Sequence, residues 1–361
     1  MLIDLYICLM NKFTYFLVLQ NPIFIKVFQC CSFYKMPGMT DYSSNAPYHE
    51  KEIDYDSIYK YDVTLGNIIG SGMISIVFDA TLNGNPVVVK VKRKGIDKKI
   101  IKGCYVIQKI ITVLKWLKIY MFSFELAFDE NITSILDQLD YHKEIDNQNR
   151  YKLTFSDIVV PTVIEHDDNV IIMTKMIKHD VCDKSPYAES IVRLVITNIL
   201  FGFMHSDLHA GNIILMPNNQ IGVIDFGVMI NLDGEERSCM IRLLMSINSD
   251  IYENISNVFL DKFILYSRQL TESDRQHLLN GVNNVTKNIV TRSGKGINIS
   301  DLNELNKIIR VYDASLKPFL CKCMLGLIAV ESVLTELEPN WSSITFRVVK
   351  SLSDEITSLS E

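Results

Sequence analysis

Hydrophobic and polar positions divide the chain into a strand-rich stretch and a helix-rich stretch that follows it. Short β-branched runs separated by Gly- and Asn-rich turns predict strands in the first stretch, because such residues pack well on a pleated surface. The predicted strands are residues 64–69, 74–80, 86–92, 158–163 and 169–176. Residues 100–145, which interrupt them, are mostly helical by composition.

The second stretch begins with an apolar helical repeat. Apolar residues recur at i, i+3 and i+4 spacing from Ile191 to Ile199, which predicts a helix over 188–204. Short strands are predicted at 213–216 and 221–224, and the remainder of the chain is predicted to be helical. Strands first and helices second favour an α+β fold.

The first 35 residues are apolar and contain no arginine. Their longest charge-free run, residues 13–25, is interrupted by Gln20, Asn21 and Pro22 and is shorter than the roughly 20 residues of a membrane span. An Arg-rich amphipathic mitochondrial presequence is not evident. We predict a helical element that packs on the domain behind it. Membrane association through residues 1–19 and a processed signal or true span stay open as alternatives.

Composition narrows the range of functions. The 361 residues, 48% hydrophobic and 22% charged, can bury a sizeable core, which excludes wholesale disorder. The formal net charge of −6 argues against nucleic acid as the main partner. The 8 cysteines form no CxxC pair, which predicts reduced thiols in a reducing intracellular compartment.

Two features of the predicted strands suit phosphate binding. Gly70, Ser71 and Gly72 open a motif that runs to Val77, and glycines let a backbone approach phosphates because no Cβ intervenes. A plain tight hairpin is the alternative. Lys90 lies inside an apolar strand, where a cation is costly unless it meets an anion, and its distance from the glycines suits a lysine that reaches nucleotide phosphates. An edge strand with Lys90 facing water is the alternative.

Two polar motifs follow in the order expected of a phosphoryl-transfer site. Asp207 and Asn212 have four residues between them, the spacing of a kinase catalytic loop. Asp225 precedes Phe226 and Gly227, the pattern of a magnesium ligand, and follows Asp207 after a predicted two-strand hairpin. Each motif alone is typical of a polar turn. Their order and spacing together indicate magnesium-dependent nucleotide chemistry.

These motifs resemble those of the UbiB/ADCK (aarF-domain) atypical kinase family. Residues 87–96, VVVKVKRKGI, are similar to its VAVKVQRPGI, and residues 205–212, HSDLHAGN, resemble its HADPHPGN. The IDFG of residues 224–227 resembles its metal motif. Residues 139–147, LDYHKEIDN, are similar to its LDFxxEAxN, which implies that Glu144 pairs with the strand lysine.

The resemblance extends into the apolar start. Residues 21–29, NPIFIKVFQ, are similar to the family's GPxFIKLGQ, so Lys26 and Gln29 fall on its regulatory KxGQ motif. It implies a bilobal, protein-kinase-like α+β fold. The expected parts are an apolar extension with a KxGQ-like helix and linker (1–57), a kinase-like N-lobe with an antiparallel sheet and helical insertion (58–180), and an α-helical C-lobe (181–361).

The resemblance also implies a function. Mg-ATP, or ADP, would bind between the lobes of an atypical kinase or ATPase. Lys90, oriented by Glu144, would hold the phosphates, and Asp225 and Asn212 would bind magnesium. Asp207 would orient or deprotonate the attacking hydroxyl or water. The expected nucleotide-binding residues are Gly70, Ser71, Gly72, Val77, Lys90 and Met173. Expected partners are the nucleotide, a lipid or quinone-precursor ligand from isoprenoid-quinone or lipid metabolism, and a peripheral membrane contact.

Several positions depart from the family pattern. Gly70 and Gly72 stand where the family has an alanine-rich loop, Phe28 replaces the glycine of KxGQ, and Leu208 and Ala210 replace prolines. None of these changes removes a phosphate or metal group, so an active protein is favoured over a dead pseudokinase. Two alternatives stay open: a conventional phosphotransferase on protein or small-molecule hydroxyls, and a non-catalytic nucleotide-binding module.

Overall fold

The computed structural model describes residues 12–25, 45–116, 132–179, 181, 183–247, 252–291 and 299–352. The chain divides into two compact units. The first comprises Met1–Ile177 and Val223–Val228, and the second comprises Lys178–Gly222 and Met229–Glu361. The first unit carries an antiparallel sheet and the second is mainly helical, which confirms the predicted α+β class.

A five-stranded antiparallel sheet forms the centre of the first unit. Its strands are β1 (Val63–Ser71), β2 (Ser75–Leu82), β3 (Asn85–Lys92), β4 (Val163–His166) and β5 (Val170–Thr174), in the order β1-β2-β3-β5-β4. Two strand predictions need correction. The strand predicted at 158–163 lies instead at Val163–His166. Gly70 and Ser71, which were predicted to lie between two strands, are the last residues of β1.

The two faces of β3 differ because successive side chains point to opposite sides of a strand. Val87, Val89 and Val91 are fully buried in an apolar core. On the other face lie Lys90 and Lys92, which are also buried. The sheet therefore separates a purely apolar core from a face that holds charge.

The helices of the first unit follow the apolar pattern of the sequence. They are α1 (residues 12–20), α2 (Tyr55–Ile58), α3 (Ile96–Trp116), α4 (132–137) and α5 (Tyr141–Thr154), with a 3-10 turn at Glu50–Glu52. The helices α3, α4 and α5 account for most of the described part of the 100–145 stretch that was predicted as helical.

The described part of the apolar start packs on α3. Val18, Ile23 and Ile25 are buried in one cluster with residues of that helix. Asn21 Nδ2 donates a hydrogen bond to the carbonyl of Lys99 at 2.7 Å. A Cβ at Gly103 would stand 2.7 Å from Asn21 Nδ2, so only glycine permits this close approach. Residues 12–25 are thus a helical element docked on the domain.

Seven helices and six short strands among the described residues belong to the second unit, except that the last residue of one strand is assigned to the first unit. The helices are α6 (Ser185–Phe201), α7 (Gly234–Ile247), α8 (Tyr252–Lys262), α9 (Glu272–Thr291), α10 (Ile299–Arg310), α11 (Pro318–Leu337) and α12 (Trp341–Ser351). The strands pair as β6 (Phe203–His205) with β9 (Met229–Asn231), β7 (Ile213–Leu215) with the shared β8 (Ile221–Val223), and β10 (Ile264–Tyr266) with β11 (Ala314–Leu316).

The helix predicted over 188–204 ends at Phe201, because Gly202 adopts φ +68° and residues 203–205 enter a strand. The strands β9, β10 and β11 fall where only helix was predicted.

The helix α11 is the one element among the described residues that is long and apolar enough to cross a membrane. Its apolar window has a mean hydropathy of 1.6 and is more than half buried. A Cβ at Gly326, in the middle of this helix, would stand 2.9 Å from Ser206 Cα. Such close backbone contact is typical of a core helix of a folded unit.

Candidate functional site

The ammonium group of Lys90 lies on the polar face of the central sheet. β3 is an interior strand, and Lys90 is only 7% exposed, which excludes the alternative of an edge lysine facing water. Val77 on β2 and Ile171 on β5 stand directly opposite Lys90. Residues paired in this way share a face of the sheet, so apolar side chains flank the lysine on both neighbouring strands.

Glu144 reaches Lys90 from the first turn of α5. That helix is capped by Asp140, whose side chain accepts hydrogen bonds from the backbone N–H groups of His142 and Lys143. The cap fixes the start of the helix and hence the direction of Glu144. Lys90 Nζ donates to Glu144 Oε1 at 2.6 Å, and both side chains are buried. The two residues paired by the family resemblance are therefore in contact.

Asp225 completes a group of three charges within the first unit. Its Oδ1 lies 3.2 Å from Lys90 Nζ, while 46% of its side chain is exposed. Asp225 has φ +63°, a conformation that non-glycine residues adopt at a cost, and such strain is typical of functional positions. The carboxylate is thus anchored by the lysine and still open to a ligand.

The residues after Asp225 fix the orientation of its carboxylate. Phe226 is fully buried and packs against Tyr151, with ring centroids 5.1 Å apart. Asn147 Nδ2 donates to the carbonyl of Phe226 at 3.1 Å, which ties this segment to α5. A Cβ at Gly227 would crowd Asp225 Oδ1 at 3.3 Å and approach Glu144 Oε2 at 3.7 Å. Glycine at this position therefore lets the two carboxylates share one cation.

Charge and burial oppose each other at Lys90. Burial alone would lower the pKa of the Lys90 ammonium, but the negative charges of Asp225 and Glu144 outweigh it and hold that pKa above its ordinary value. Lys90 is consequently protonated at neutral pH. Because two carboxylates outnumber the one ammonium, this group is suited to bind a phosphate together with a metal cation.

The other residues expected to bind nucleotide lie on the same sheet. Gly70 stands opposite Val77, and Gly72 N–H donates to the carbonyl of Ser75 at 2.9 Å, which closes a tight turn between β1 and β2. Met173 is buried in β5 opposite Val88, packed in a cluster with α5. The turn comprises residues 72–74, because Gly70 and Ser71 belong to β1 and β2 begins at Ser75.

Residues that the sequence did not single out also shape this face. Tyr141 is fully buried, and its ring lies 5.0 Å from Lys92 Nζ and 5.7 Å from Lys90 Nζ. Arg93 is buried beneath the turn between β1 and β2. Arg93 lies in the family-like motif at residues 87–96, and that motif was the one sequence feature that could have drawn attention to it. A linear pattern does not show whether an arginine will be buried.

Asp207 and Asn212 lie in the second unit, in the loop between β6 and β7. Asn212 Nδ2 donates to the carbonyl of Asp207 at 2.8 Å, so the amide oxygen of Asn212 is the atom suited to a cation. The N–H of Asp207 donates to His205 Nδ1 at 3.2 Å, and the N–H of His205 donates to Asn198 Oδ1 at 3.0 Å. The loop is thereby held to the end of α6.

Each unit offers a donor of a type that suits magnesium. The carboxylate of Asp225 in the first unit and the amide oxygen of Asn212 in the second unit are each hard ligands, the kind that Mg²⁺ prefers. Among the described residues, no group of three or more His, Cys, Asp or Glu could hold a metal ion by itself. Lys26 and Gln29, the expected regulatory residues, lie outside the described residues.

A comparison with protein families matches the part of the chain that carries Lys90, Glu144 and Asp225. The family model of the ABC1 atypical kinase-like domain matches residues 65–259, more than half of the chain. A chloroplastic protein of Arabidopsis thaliana, described as an uncharacterized aarF domain-containing protein kinase, is 20% identical over 284 residues, which are 76% of this chain and 40% of the relative. The chloroplastic ACTIVITY OF BC1 COMPLEX KINASE 3 of the same plant is 24% identical over 223 residues, 56% of this chain and 31% of the relative.

A solved structure is also similar to this chain. The structure of a Mycobacterium tuberculosis protein in complex with erythromycin has a TM-score of 0.44 and 20% sequence identity, and the match covers 77% of this chain and 78% of that one. The chain spans less than half of the length of the two plant relatives that it matches.

Proposed function

The chain belongs to the ABC1 atypical kinase-like family, and from this we propose that it is an ATP-dependent atypical kinase or ATPase that uses magnesium. The observation that supports the proposal most is the group formed by Lys90, Glu144 and Asp225. A buried lysine between two carboxylates, one of them partly open to solvent, suits the binding of a phosphate and its metal together.

Each residue of the first unit has a specific task in this proposal. Lys90 binds the nucleotide phosphates through its protonated ammonium, and Glu144 holds that ammonium in place from α5. Asp225 binds magnesium, which supplies positive charge that offsets the charge developing on the transferred phosphoryl group. The end of β1 at Gly70 and Ser71 and the turn that begins at Gly72 cover the phosphates, and Val77 and Met173 provide apolar contacts for the base.

The residues of the second unit complete the proposed chemistry. Asp207 orients the attacking hydroxyl or water and accepts its proton, as a positioned carboxylate can do. Asn212 contributes its amide oxygen as a second ligand for magnesium. The proposal gives Lys26 and Gln29 a regulatory role.

We propose a lipid or quinone-precursor ligand and a peripheral membrane contact, because the exposed face of the first unit carries large apolar side chains. Phe13 and Phe16 of α1 are each more than half exposed, and Trp116 at the end of α3 is 81% exposed. Apolar and aromatic side chains at a helix surface suit the boundary region of a bilayer. The chloroplastic setting of the plant relatives is compatible with such a context.

Conventional phosphotransfer to a protein or small-molecule hydroxyl is a second candidate. It is favoured by one observation: Gly70 and Gly72, like the glycines of an ordinary protein kinase loop, precede a tight turn beside the lysine-bearing strand. Nucleotide binding without turnover is a third candidate function, and it requires the same site at Lys90.

Magnesium-dependent ATP hydrolysis and phosphotransfer separate these candidates when wild type is compared with Asp225→Asn. We expect both signals to fall to background in Asp225→Asn, with Asp97→Asn on the exposed start of α3 as the matched control. Equal signals in wild type and Asp225→Asn would contradict the catalytic proposal and leave a binding module. Phosphotransfer to protein without stimulation by lipid would favour the conventional phosphotransferase.

A further inference from the structure

The side chain of Arg93 donates hydrogen bonds to four residues of the first unit beneath the turn that follows β1. Its Nη2 donates to Ser71 Oγ at 2.9 Å and to the carbonyl of Gly72 at 2.6 Å. Its Nη1 donates to the carbonyl of Pro47 at 3.1 Å and to Glu52 Oε2 at 3.0 Å. The guanidinium therefore joins the glycine turn to the chain segment that precedes the sheet.

The backbone of Arg93 reinforces the same connection. Its N–H donates to the carbonyl of Ile74 at 2.8 Å, on the far side of the turn. Residues 72 and 74 of the turn are thus both tied to one arginine. A planar guanidinium with several fixed donors can hold separate acceptors in one geometry, which a lysine ammonium on a flexible chain cannot do.

The segment before the sheet is itself fixed to the turn. Asn45 pairs with Ser71 in a parallel bridge, and the N–H of Ala46 donates to the carbonyl of Ser71 at 2.7 Å. Glu52 is buried, accepts hydrogen bonds from Arg93 and Lys99, and lies in the 3-10 turn at Glu50–Glu52. Segment 45–52 consequently acts as a strap across the end of β1.

This arrangement is a costly way to stabilise a fold. Arg93 is only 2% exposed, and its Nε is buried with no hydrogen-bond partner within the described part of the chain. Replacing a buried ion pair by apolar side chains of similar size is often neutral or stabilising, so such pairs contribute little net stability. The Nη2 group of Arg93 donates to the hydroxyl of Ser71 and the carbonyl of Gly72 while Nη1 donates to Pro47 and Glu52, which points to a role in fixing the position of the turn.

We propose that Arg93 is a positioning residue that clamps the glycine turn between β1 and β2 to the strap formed by residues 45–52. This inference rests on the proposed function in one respect, since the turn is where the nucleotide phosphates would be covered. The clamp presets the turn before nucleotide arrives, and it makes the position of the turn depend on segment 45–52, which precedes the sheet. A preset turn lowers the ordering cost of binding.

Hydrogen exchange of the nucleotide-free protein tests the clamp without requiring turnover. In Arg93→Met, which removes two hydrogen bonds to this segment, we expect the amides of residues 70–76 to exchange at least about tenfold faster, since loss of even one hydrogen bond to a charged group would give about that change. Ser71→Ala removes one acceptor, leaves the Arg93–Glu52 pair intact, and should give a smaller increase at the same amides. Arg242→Met, which alters an exposed arginine on α7, is the matched control and should leave these amides unchanged.

The double variant Glu52→Met with Arg93→Met separates positioning from stability. It removes both buried charges, so its midpoint of thermal unfolding should recover most of what Arg93→Met loses. Exchange at residues 70–76 should stay fast, because the side chain of residue 93 no longer donates to Ser71 and Gly72. Recovery of slow exchange in the double variant, or unchanged exchange in Ser71→Ala and Arg93→Met, would overturn the clamp. If Arg93→Met does not fold, the double variant and Ser71→Ala still decide the question.

Titration with Mg-ATP adds the functional readout. We expect the Kd to rise about tenfold in the double variant even though its stability is restored, by the same hydrogen-bond argument. Fast hydrogen exchange at residues 70–76 together with an unchanged Kd for Mg-ATP would overturn the proposal that the clamp assists nucleotide binding. Absence of Mg-ATP binding in the wild type would instead contradict the proposed function and would leave the exchange result to stand by itself.

Discussion

Lys90 and Glu144 form a buried ion pair of 2.6 Å although 54 residues separate them along the chain. Because each ion would be costly to bury alone, the pair fixes α5 against the sheet as well as fixing the lysine. Replacing Glu144 by Gln keeps the shape and removes the charge. We expect kcat/KM for ATP hydrolysis to fall about a hundredfold, the cost of a misplaced catalytic group.

The control for that substitution is Glu165→Gln, which alters an exposed residue of β4 in the same unit. It should leave kcat/KM unchanged. Steady-state kinetics of both variants check the prediction, and wild-type kinetics in Glu144→Gln would show that the ion pair has no part in the reaction.

Asn147 is expected to position the segment that carries Asp225, the proposed magnesium ligand. Its side chain donates to the carbonyl of Phe226, and Asn147→Ala leaves that carbonyl without the bond. The free energy of unfolding should fall by about 1 kcal/mol, the usual net value of a hydrogen bond. The magnesium concentration needed for half-maximal ATP hydrolysis should rise at the same time. A loss of stability with an unchanged magnesium requirement would assign Asn147 to the fold alone.

Gly326 is expected to be intolerant of a side chain. A Cβ there would stand 2.9 Å from Ser206 Cα, in the loop that carries Asp207. Gly326→Ala should lower the free energy of unfolding by about 1–3 kcal/mol, because the backbone of that loop must move. Urea unfolding measures the change. Gly234→Ala, where no atom lies within 4 Å of the new Cβ, should change stability far less, and equal effects of the two substitutions would contradict this packing.

Glu52 should make the stability of the protein sensitive to acid. Burial alone would raise the pKa of its carboxyl, but hydrogen bonding by Lys99 and the charge of Arg93 lower that pKa below the ordinary 4.5. The folded state therefore favours ionised Glu52. The resulting stability is present above about pH 4.5 and is lost as the pH falls through the lowered pKa.

Glu52→Gln removes this titration. The free energy of unfolding of the variant, measured by urea between about pH 5.5 and about pH 3.5, should fall less steeply with decreasing pH than that of the wild type. Parallel pH profiles would show that Glu52 titrates alike in the folded and unfolded states.

The fold could be predicted wherever sequence patterns were long and periodic. The strands β1 to β3 and the helix α6 were predicted to within a few residues, because β-branched runs bounded by turns and i, i+3, i+4 spacing are both present there. The strands β6 and β9 to β11 were missed, since three residues are too few to show a period where no turn signal separates them from predicted helix. Residues 203–204 extend the apolar run of α6, and only the left-handed backbone of Gly202 ends the helix.

The candidate site was predictable from motif spacing only in part. Lys90, Glu144 and Asp225 were named from their motifs, and the structure brings them together. Arg93 and Tyr141 were not named, although Tyr141 is buried beside Lys90 and Arg93 is buried beneath the turn between β1 and β2. Their burial depends on which elements cross in three dimensions, and no linear pattern records that crossing.

Binding of ATP in the presence of magnesium, measured by calorimetric titration of wild type and Lys90→Met, tests the central claim most directly. Lys90→Met preserves the length of the side chain and removes the charge, with Lys102→Met on the exposed face of α3 as the control. We expect the Kd to rise about ten- to a hundredfold in Lys90→Met, the value of a charged hydrogen bond, and to stay at the wild-type value in Lys102→Met. Equal affinity in all three proteins, or no binding by the wild type, would contradict the account.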